Sequence, residues 1–258
     1  MKIGMFDSGI GGLTVLHAAL KILPDEAYFY YADTDNVPYG SKTNAQIKEY
    51  SEKAVDFLLG KGCDAVVIAC NTATAAAASY LREKYTIPII GIEPAVKPAV
   101  EHNGGKRILV IATAVTAREK KLEDLISRVD NERLVDVKAV PELVGFAERG
   151  EFDSEAVREC LRKELSDLDL KQYGTLVFGC THFNHFRNAL KSFLEEGTHM
   201  IDGSKGTVRN LKNLLLKKEL PTEGKRELHF YRSGREVRDK ETLAFYETVM
   251  AHLEEGEN

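Results

Sequence analysis

The chain has 258 residues, 29% of them charged and 43% hydrophobic, with a net charge of −5. That length holds one large or two modest hydrophobic cores, and that balance belongs to a folded globular chain rather than a disordered one. A mildly acidic chain without a basic block makes nucleic acid a poor partner, and no apolar run reaches the roughly 18 residues needed to span a bilayer.

Met1-Lys2-Ile3-Gly4-Met5-Phe6 runs directly into motif-bearing sequence and leaves no room for a signal peptide. Cys63, Cys70, Cys160 and Cys180 are too sparse for a disulfide scaffold, so reduced thiols in a cytoplasmic protein are expected. In chain order, strands are expected at 2–6, 26–32, 65–69, 88–92, 107–112, 134–139, 175–178 and 199–202. Helices are expected at 12–23, 44–61, 74–85, 117–129, 154–168 and 186–196, with a last amphipathic stretch at 241–255. Several strands are unbroken Val/Ile/Leu runs, as in parallel sheets buried on both faces. Strand–helix alternation then gives an α/β fold with crossover connections.

The chain also echoes itself. Strand 2–6 leads into Asp7-Ser8, and strand 107–112 leads into Thr113. Asp64-Ala65-Val66-Val67-Ile68-Ala69-Cys70-Asn71-Thr72 is matched by Gly174-Thr175-Leu176-Val177-Phe178-Gly179-Cys180-Thr181-His182. Both are apolar strands ending in a cysteine followed by hydrogen-bonding side chains. A duplicated α/β unit is the natural reading, with its join near 94–105, where Pro94, Pro98 and Gly104-Gly105 interrupt any regular pattern.

In a doubly wound sheet, ligands sit beyond the carboxyl ends of the strands. Asp7, Cys70, Thr113 and Cys180 all belong there. One such cysteine is as readily a packing residue, but two at matching positions point to chemistry. A partly exposed thiol at a helix amino terminus has its thiolate stabilised by the dipole and backbone N–H groups. Cys63 and Cys160 lack polar neighbours of this kind and are read as structural.

Two acid/base groups on opposite sides of a carbon centre can remove a proton from one face and return one to the other. A thiol with a reference pKa near 8.5 serves in either role. The glycine-rich turn Asp7-Ser8-Gly9-Ile10-Gly11-Gly12 can cradle an anion with backbone N–H groups. It matches neither phosphate-loop nor dinucleotide fingerprints. Asn71-Thr72 and Thr181-His182 suit carboxylate and ammonium recognition, or simply cap the following helices. Val37-Pro38-Tyr39-Gly40-Ser41 reads equally as a plain turn or a binding loop. Cys180, His182 and His185 are close in sequence, but no second Cys/His cluster exists, so no metal is expected. His182 is read as a partner of the nearby thiol and His185 as a helix-start or surface residue.

With these motifs in view, the chain resembles the glutamate racemases of the aspartate/glutamate racemase superfamily. The matching segments are DSGIGGLTVL (7–16), ADTDNVPYGSK (32–42), VVIACNTATA (66–75), PIIGIEPAVKPA (88–99), TLVFGCTHF (175–183) and HFYRSG (229–234). The resemblance implies Cys70 and Cys180 as the two proton donor/acceptors, the first acting on D-glutamate and the second on L-glutamate. It implies Asp7, His182 and Glu148 as helpers that tune the thiols. Substrate contacts are implied from Asp7, Ser8, Tyr39, Gly40, Asn71, Thr72, Thr181 and His182.

It further implies two similar doubly wound α/β domains with mostly parallel sheets and the active site in the cleft between them. The first domain would span 1–97 plus 207–258 and the second 98–206. No cofactor, a homodimer and a supply of D-glutamate for peptidoglycan synthesis are implied as well. The chain departs from the usual pattern at Phe183-Asn184-His185-Phe186, where an aromatic followed by proline is common. Arg118 and Lys121 stand where Ser and Tyr are typical, and Ile92-Glu93-Pro94-Ala95 is the form of a subset. Racemisation of aspartate or another acidic amino acid remains an alternative reading. So does a thiol-based redox or small-anion-binding protein, although that would favour a C-x-x-C spacing the chain lacks.

Overall fold

The computed structural model describes residues 1–217 and 225–257. Strands β1 (Lys2–Asp7), β2 (Ala27–Ala32), β3 (Ala65–Ile68) and β4 (Ile89–Gly91) lie parallel in the order β2-β1-β3-β4. Strands β5 (Arg107–Ala112), β6 (Val135–Ala139), β7 (Tyr173–Phe178) and β8 (His199–Asp202) form a second parallel sheet ordered β6-β5-β7-β8. The two orders are the same pattern, so the echo heard in sequence is an echo of topology. The chain then returns to the first sheet: β9 (Glu227–Arg232) adds parallel to β2, and β10 (Arg235–Glu236) pairs antiparallel with β9.

Strands β2, β3, β5 and β7 are almost continuously apolar because both of their faces are covered. Side chains alternate across a strand, and the packing follows that alternation. Ile3, Met5, Tyr28 and Tyr30 join one core with α1 (Leu13–Ile22). Phe6, Phe29, Tyr31, Val66 and Ile68 join another with α2 (Asn44–Gly60) and α3 (Asn71–Lys84). Fully burying an Ile or Met side chain such as these contributes about 1.5–3 kcal/mol. In the second sheet, Ile108, Val110 and Val177 pack on α4 (Val96–Glu101) and on α6 (Lys120–Val129), which follows the short α5 (Ala114–Arg118). Leu109, Ile111, Leu176 and Phe178 face α7 (Glu142–Glu148), α8 (Glu155–Glu164) and α9 (Arg187–Lys191). That last core is continuous with the one beneath α1, where α10 (Ser204–Lys217) and α11 (Lys240–Glu257) also pack.

Several boundaries differ from expectation for identifiable reasons. The helix expected at 117–129 is two helices, because Glu119 between them is extended at φ −71°, ψ 129°. The helix expected at 154–168 stops at Glu164. In place of one helix at 186–196, a 3-10 turn covers Thr181–Phe186 and α9 is a single short turn after it. The 94–105 stretch is not featureless: it carries α4, with Pro98 in the first turn, where the missing N–H has no intrahelical partner to lose. Helices α7 and α10 and strands β9 and β10 lie outside the sequence expectations altogether. Among the described residues, no helix is long and apolar enough to cross a membrane.

Candidate active site

In each sheet the chain leaves the first and third strands toward opposite edges, so a crevice opens at their carboxyl ends. Asp7 ends β1, and Cys70 follows β3; Thr113 follows β5, and Cys180 follows β7. The two cysteines therefore occupy the same topological position in their respective halves. Their local settings differ. Cys70 is the N-cap of α3, its Sγ accepting the Ala73 N–H at 3.4 Å, which also explains why α3 begins at Asn71 rather than 74. Cys180 caps only the 3-10 turn, makes no capping bond, and instead has its Sγ 3.7 Å from His182 Nδ1.

A hydrogen-bonded bridge runs from the Cys70 thiol to Thr181, the residue after Cys180. Cys70 Sγ lies 4.0 Å from Ser8 Oγ, and Ser8 Oγ donates to Asp7 Oδ1 at 3.1 Å. The other Asp7 oxygen accepts from Thr181 Oγ1 at 2.9 Å, beside Cys180. Both cysteines are only 5% exposed, not partly exposed as their polar flanks suggest. Burial accordingly pushes the Cys70 thiol well up, and the negative charges of Asp7 and of a Cys180 thiolate add to the rise. The helix-terminal N–H of Ala73 works against them without winning. Burial likewise raises Asp7, although His182 and the Gly9 N–H draw it down.

On the Cys180 side, His182 Nε2 meets Glu148 Oε1 at 2.7 Å, and that oxygen also accepts the Ile10 N–H at 2.8 Å. Burial disfavours a charged imidazole, but hydrogen bonds to Cys180 and Glu148, together with their charges, outweigh it. The His182 pKa is held well above its usual value. The glycine-rich turn makes this packing feasible. A Cβ on Gly9 would fall 1.8 Å from Glu148 Oε1, and one on Gly11 2.3 Å from His182 Nδ1. The turn is less of an open anion cradle than its sequence suggests, since the Gly9 and Ile10 N–H groups already serve Asp7 and Glu148.

The remaining predicted residues gather around this bridge. Thr72 Oγ1 lies 3.0 Å from Thr113 Oγ1 and 3.3 Å from Thr116 Oγ1, joining α3 to the second sheet. Asn71 is buried and its Oδ1 has no hydrogen-bond partner among the described residues. Tyr39 and Gly40 form a 3-10 turn whose packing reaches across to Thr113: a Cβ on Gly40 would lie 3.1 Å from Thr113 Cβ. Thr116 was not anticipated, though the T-x-x-T spacing of Thr113 and Thr116 is a readable capping signal.

His185 corrects its surface reading. It is fully buried, its ring is stacked on Phe152 at 4.8 Å, and neither ring nitrogen has a hydrogen-bond partner among the described residues. Burial and the neighbouring His182 and His252 push its pKa well down, so it packs as a neutral ring. Asn184, at the position where proline is common, donates to Thr181 O and accepts from Arg187. Lys121 pairs with Glu93 at 2.8 Å. Burial raises the Cys63 thiol to about 12, as suits a packing cysteine, and it also raises Cys160. Among the described residues, no three His, Cys, Asp or Glu side chains are grouped as a metal-binding set.

Residues 13–211 match the family model described as Asp/Glu/Hydantoin racemase. The chain belongs to that family. It is 48% identical to a glutamate racemase of Lachnospira eligens over 98% of each chain. The glutamate racemase of Thermus thermophilus, solved with beta-chloro-D-alanine, superposes with a TM-score of 0.75 at 32% identity, covering 98% of this chain and 92% of that one. The Francisella tularensis glutamate racemase, solved with D-glutamate, superposes with a TM-score of 0.81 at 28% identity, covering 97% and 93%. The two-sheet, mostly parallel α/β architecture is thus the architecture of this family, and the protein is an isomerase, a racemase.

Proposed function

We propose that this racemase interconverts L- and D-glutamate by proton transfer at Cα between Cys70 and Cys180, without a cofactor. The observation that carries this reading is the pair of thiols at equivalent strand ends of the two sheets, with a hydrogen-bond chain running from Cys70 through Ser8 and Asp7 to Thr181, the residue after Cys180. The relatives' glutamate activity and the D-glutamate complex support the substrate.

From L-glutamate, the Cys180 thiolate takes the Cα proton, forming an S–H bond as the C–H bond breaks. The Cys70 thiol then delivers its proton to the opposite face. The reverse reaction exchanges the two roles, and no electrons are gained or lost. The raised His182 pKa supports an imidazolium beside Cys180, and the raised Cys70 pKa suits a thiol donor in the L-to-D direction. Burial of both cysteines keeps preorganised donors strong against the charge that builds on the substrate carboxylate. Asp7, Ser8, Tyr39, Gly40, Asn71, Thr72, Thr181 and His182 supply the substrate contacts in this reading, with Glu148 orienting His182. The first domain comprises 1–97 with 207–258, and the second 98–206. The enzyme works as a cytoplasmic homodimer that supplies D-glutamate for peptidoglycan.

The test is a circular-dichroism assay of each enantiomer of glutamate and aspartate with the purified chain, repeated with Cys70→Ala and Cys180→Ala. Glutamate should racemise in both directions, and each substitution should abolish it. Turnover of aspartate alone overturns the substrate, and near-normal racemisation in either variant overturns the two-thiol mechanism.

A further inference from the structure

Asp33, the first residue after β2, is 3% exposed and collects an unusual number of donors. Its carboxylate accepts from Tyr39 Oη at 2.6 Å, from Asn36 Nδ2 at 3.0 and 3.1 Å, and from Ser233 Oγ at 3.0 Å. Its own N–H donates to Asp7 O at 2.9 Å, tying it to the end of β1. Ser233 belongs to the turn between β9 and β10, far away in sequence. Its N–H donates to Ala32 O at 2.8 Å, its Oγ accepts the Asp35 N–H at 3.0 Å, and its backbone sits at φ +44°, where a side chain is disfavoured. Arg235 on β10 closes the cluster with two bonds to Asp35, at 2.6 and 2.9 Å.

A turn needs no such convergence merely to reverse direction. A carboxylate has about four acceptor sites, and here Tyr39, Asn36 and Ser233 use them together. The residue so held is Tyr39, and with it Gly40, whose backbone packs against Thr113 of the other sheet. We propose that Asp33 is a positioning residue for substrate binding: it locks Tyr39–Gly40 at the cleft, and Ser233 of the returning carboxyl-terminal segment holds Asp33 in place. The proposal rests on the reading above that Tyr39 and Gly40 meet the substrate. It gives the carboxyl-terminal hairpin a part in the site through the Ser233–Asp33 contact. The amide of Asp33→Asn has one acceptor oxygen and cannot serve all three donors.

The experiment is steady-state racemisation of both glutamate enantiomers by Asp33→Asn, Ser233→Gly, Tyr39→Phe and the Asp33→Asn/Tyr39→Phe double variant, with Tm measured for each. Asp33→Asn and Tyr39→Phe should each raise KM roughly tenfold while kcat changes far less, and the double variant should be little worse than either, as for residues acting as one unit. Ser233→Gly is the decisive control. It relieves the left-handed backbone and keeps the fold, so a purely conformational role leaves KM unchanged, whereas loss of the hydroxyl anchor raises it. Wild-type KM in folded Asp33→Asn and Ser233→Gly overturns the proposal. An absence of glutamate turnover by the wild-type chain instead overturns the substrate reading on which it rests.

Discussion

Asp7 and Glu148 each connect parts of the molecule that neither could hold alone. Asp7 accepts from the Gly9 N–H on one oxygen and from Thr181 on the other, so a single carboxylate spans from β1 to the turn after β7. Glu148, at the end of α7, binds the Ile10 N–H and His182 with the same oxygen. The consequence for His182 is a pH dependence of known sign. Its folded pKa lies above the unfolded value near 6.5, so the imidazolium contributes stability fully below that pH. That contribution disappears as pH rises through the folded pKa. Thermal denaturation of the wild type and of His182→Asn across this range should therefore show the wild-type advantage in Tm shrinking toward alkaline pH. A constant or widening gap contradicts the charged state assigned to His182.

The helices owe their limits to local chemistry. Helix α2 opens with a capping box: Thr43 accepts from the Gln46 N–H, and Gln46 Oε1 accepts from the Thr43 N–H at 3.0 Å. Replacing Thr43 with Ala leaves one of the orphan donors of the first turn without its partner and should cost about 1 kcal/mol. Urea denaturation measures this as a lower midpoint with an unchanged slope. Signals of this kind made α2 readable almost to the residue. Helix α3 was misplaced by three residues because its cap is a cysteine, a residue with no strong reputation at that position. The 181–186 turn escaped notice because all six of its residues are buried, so no polar face marks a period. Strand β9 alternates only weakly between buried and exposed positions, and its partner β2 lies almost two hundred residues earlier.

At the scale of the molecule, the two halves are joined by crossings that leave little space between them. The residue entering α10 meets the β4–α4 connection so closely that a Cβ on Gly203 would lie 2.1 Å from Glu93 O. Because that neighbour is backbone, it cannot swing aside as a side chain end can. Gly203→Ala should therefore destabilise the protein by roughly 1–3 kcal/mol, as overpacking does. Differential scanning calorimetry should show a clearly lower Tm, and an unchanged Tm would mean that this crossing has room to relax. The same closeness matters for the cleft. Cys70 and Cys180, at the strand ends of the two halves, are each only 5% exposed.

The sequence by itself determined the class of fold and the repeated strand-end cysteine pattern, which the two sheets place at equivalent positions. Each of these rests on local facts: apolar runs buried on both faces, polar residues at strand ends, and the same short pattern twice. Sequence also placed Asp7, Ser8, Asn71, Thr72, Thr181 and His182 beside those thiols, because they are their chain neighbours or share the opening turn. Tertiary structure decided what the neighbours do. Only packing shows that Gly9 and Gly11 make room for Glu148 and His182, or that His185 is a buried neutral ring. Only packing brings Ser233 to Asp33, across two hundred residues. Burial, the distance between charges and the donors around a carboxylate are properties of contacts between distant segments, and no local pattern of residues encodes them.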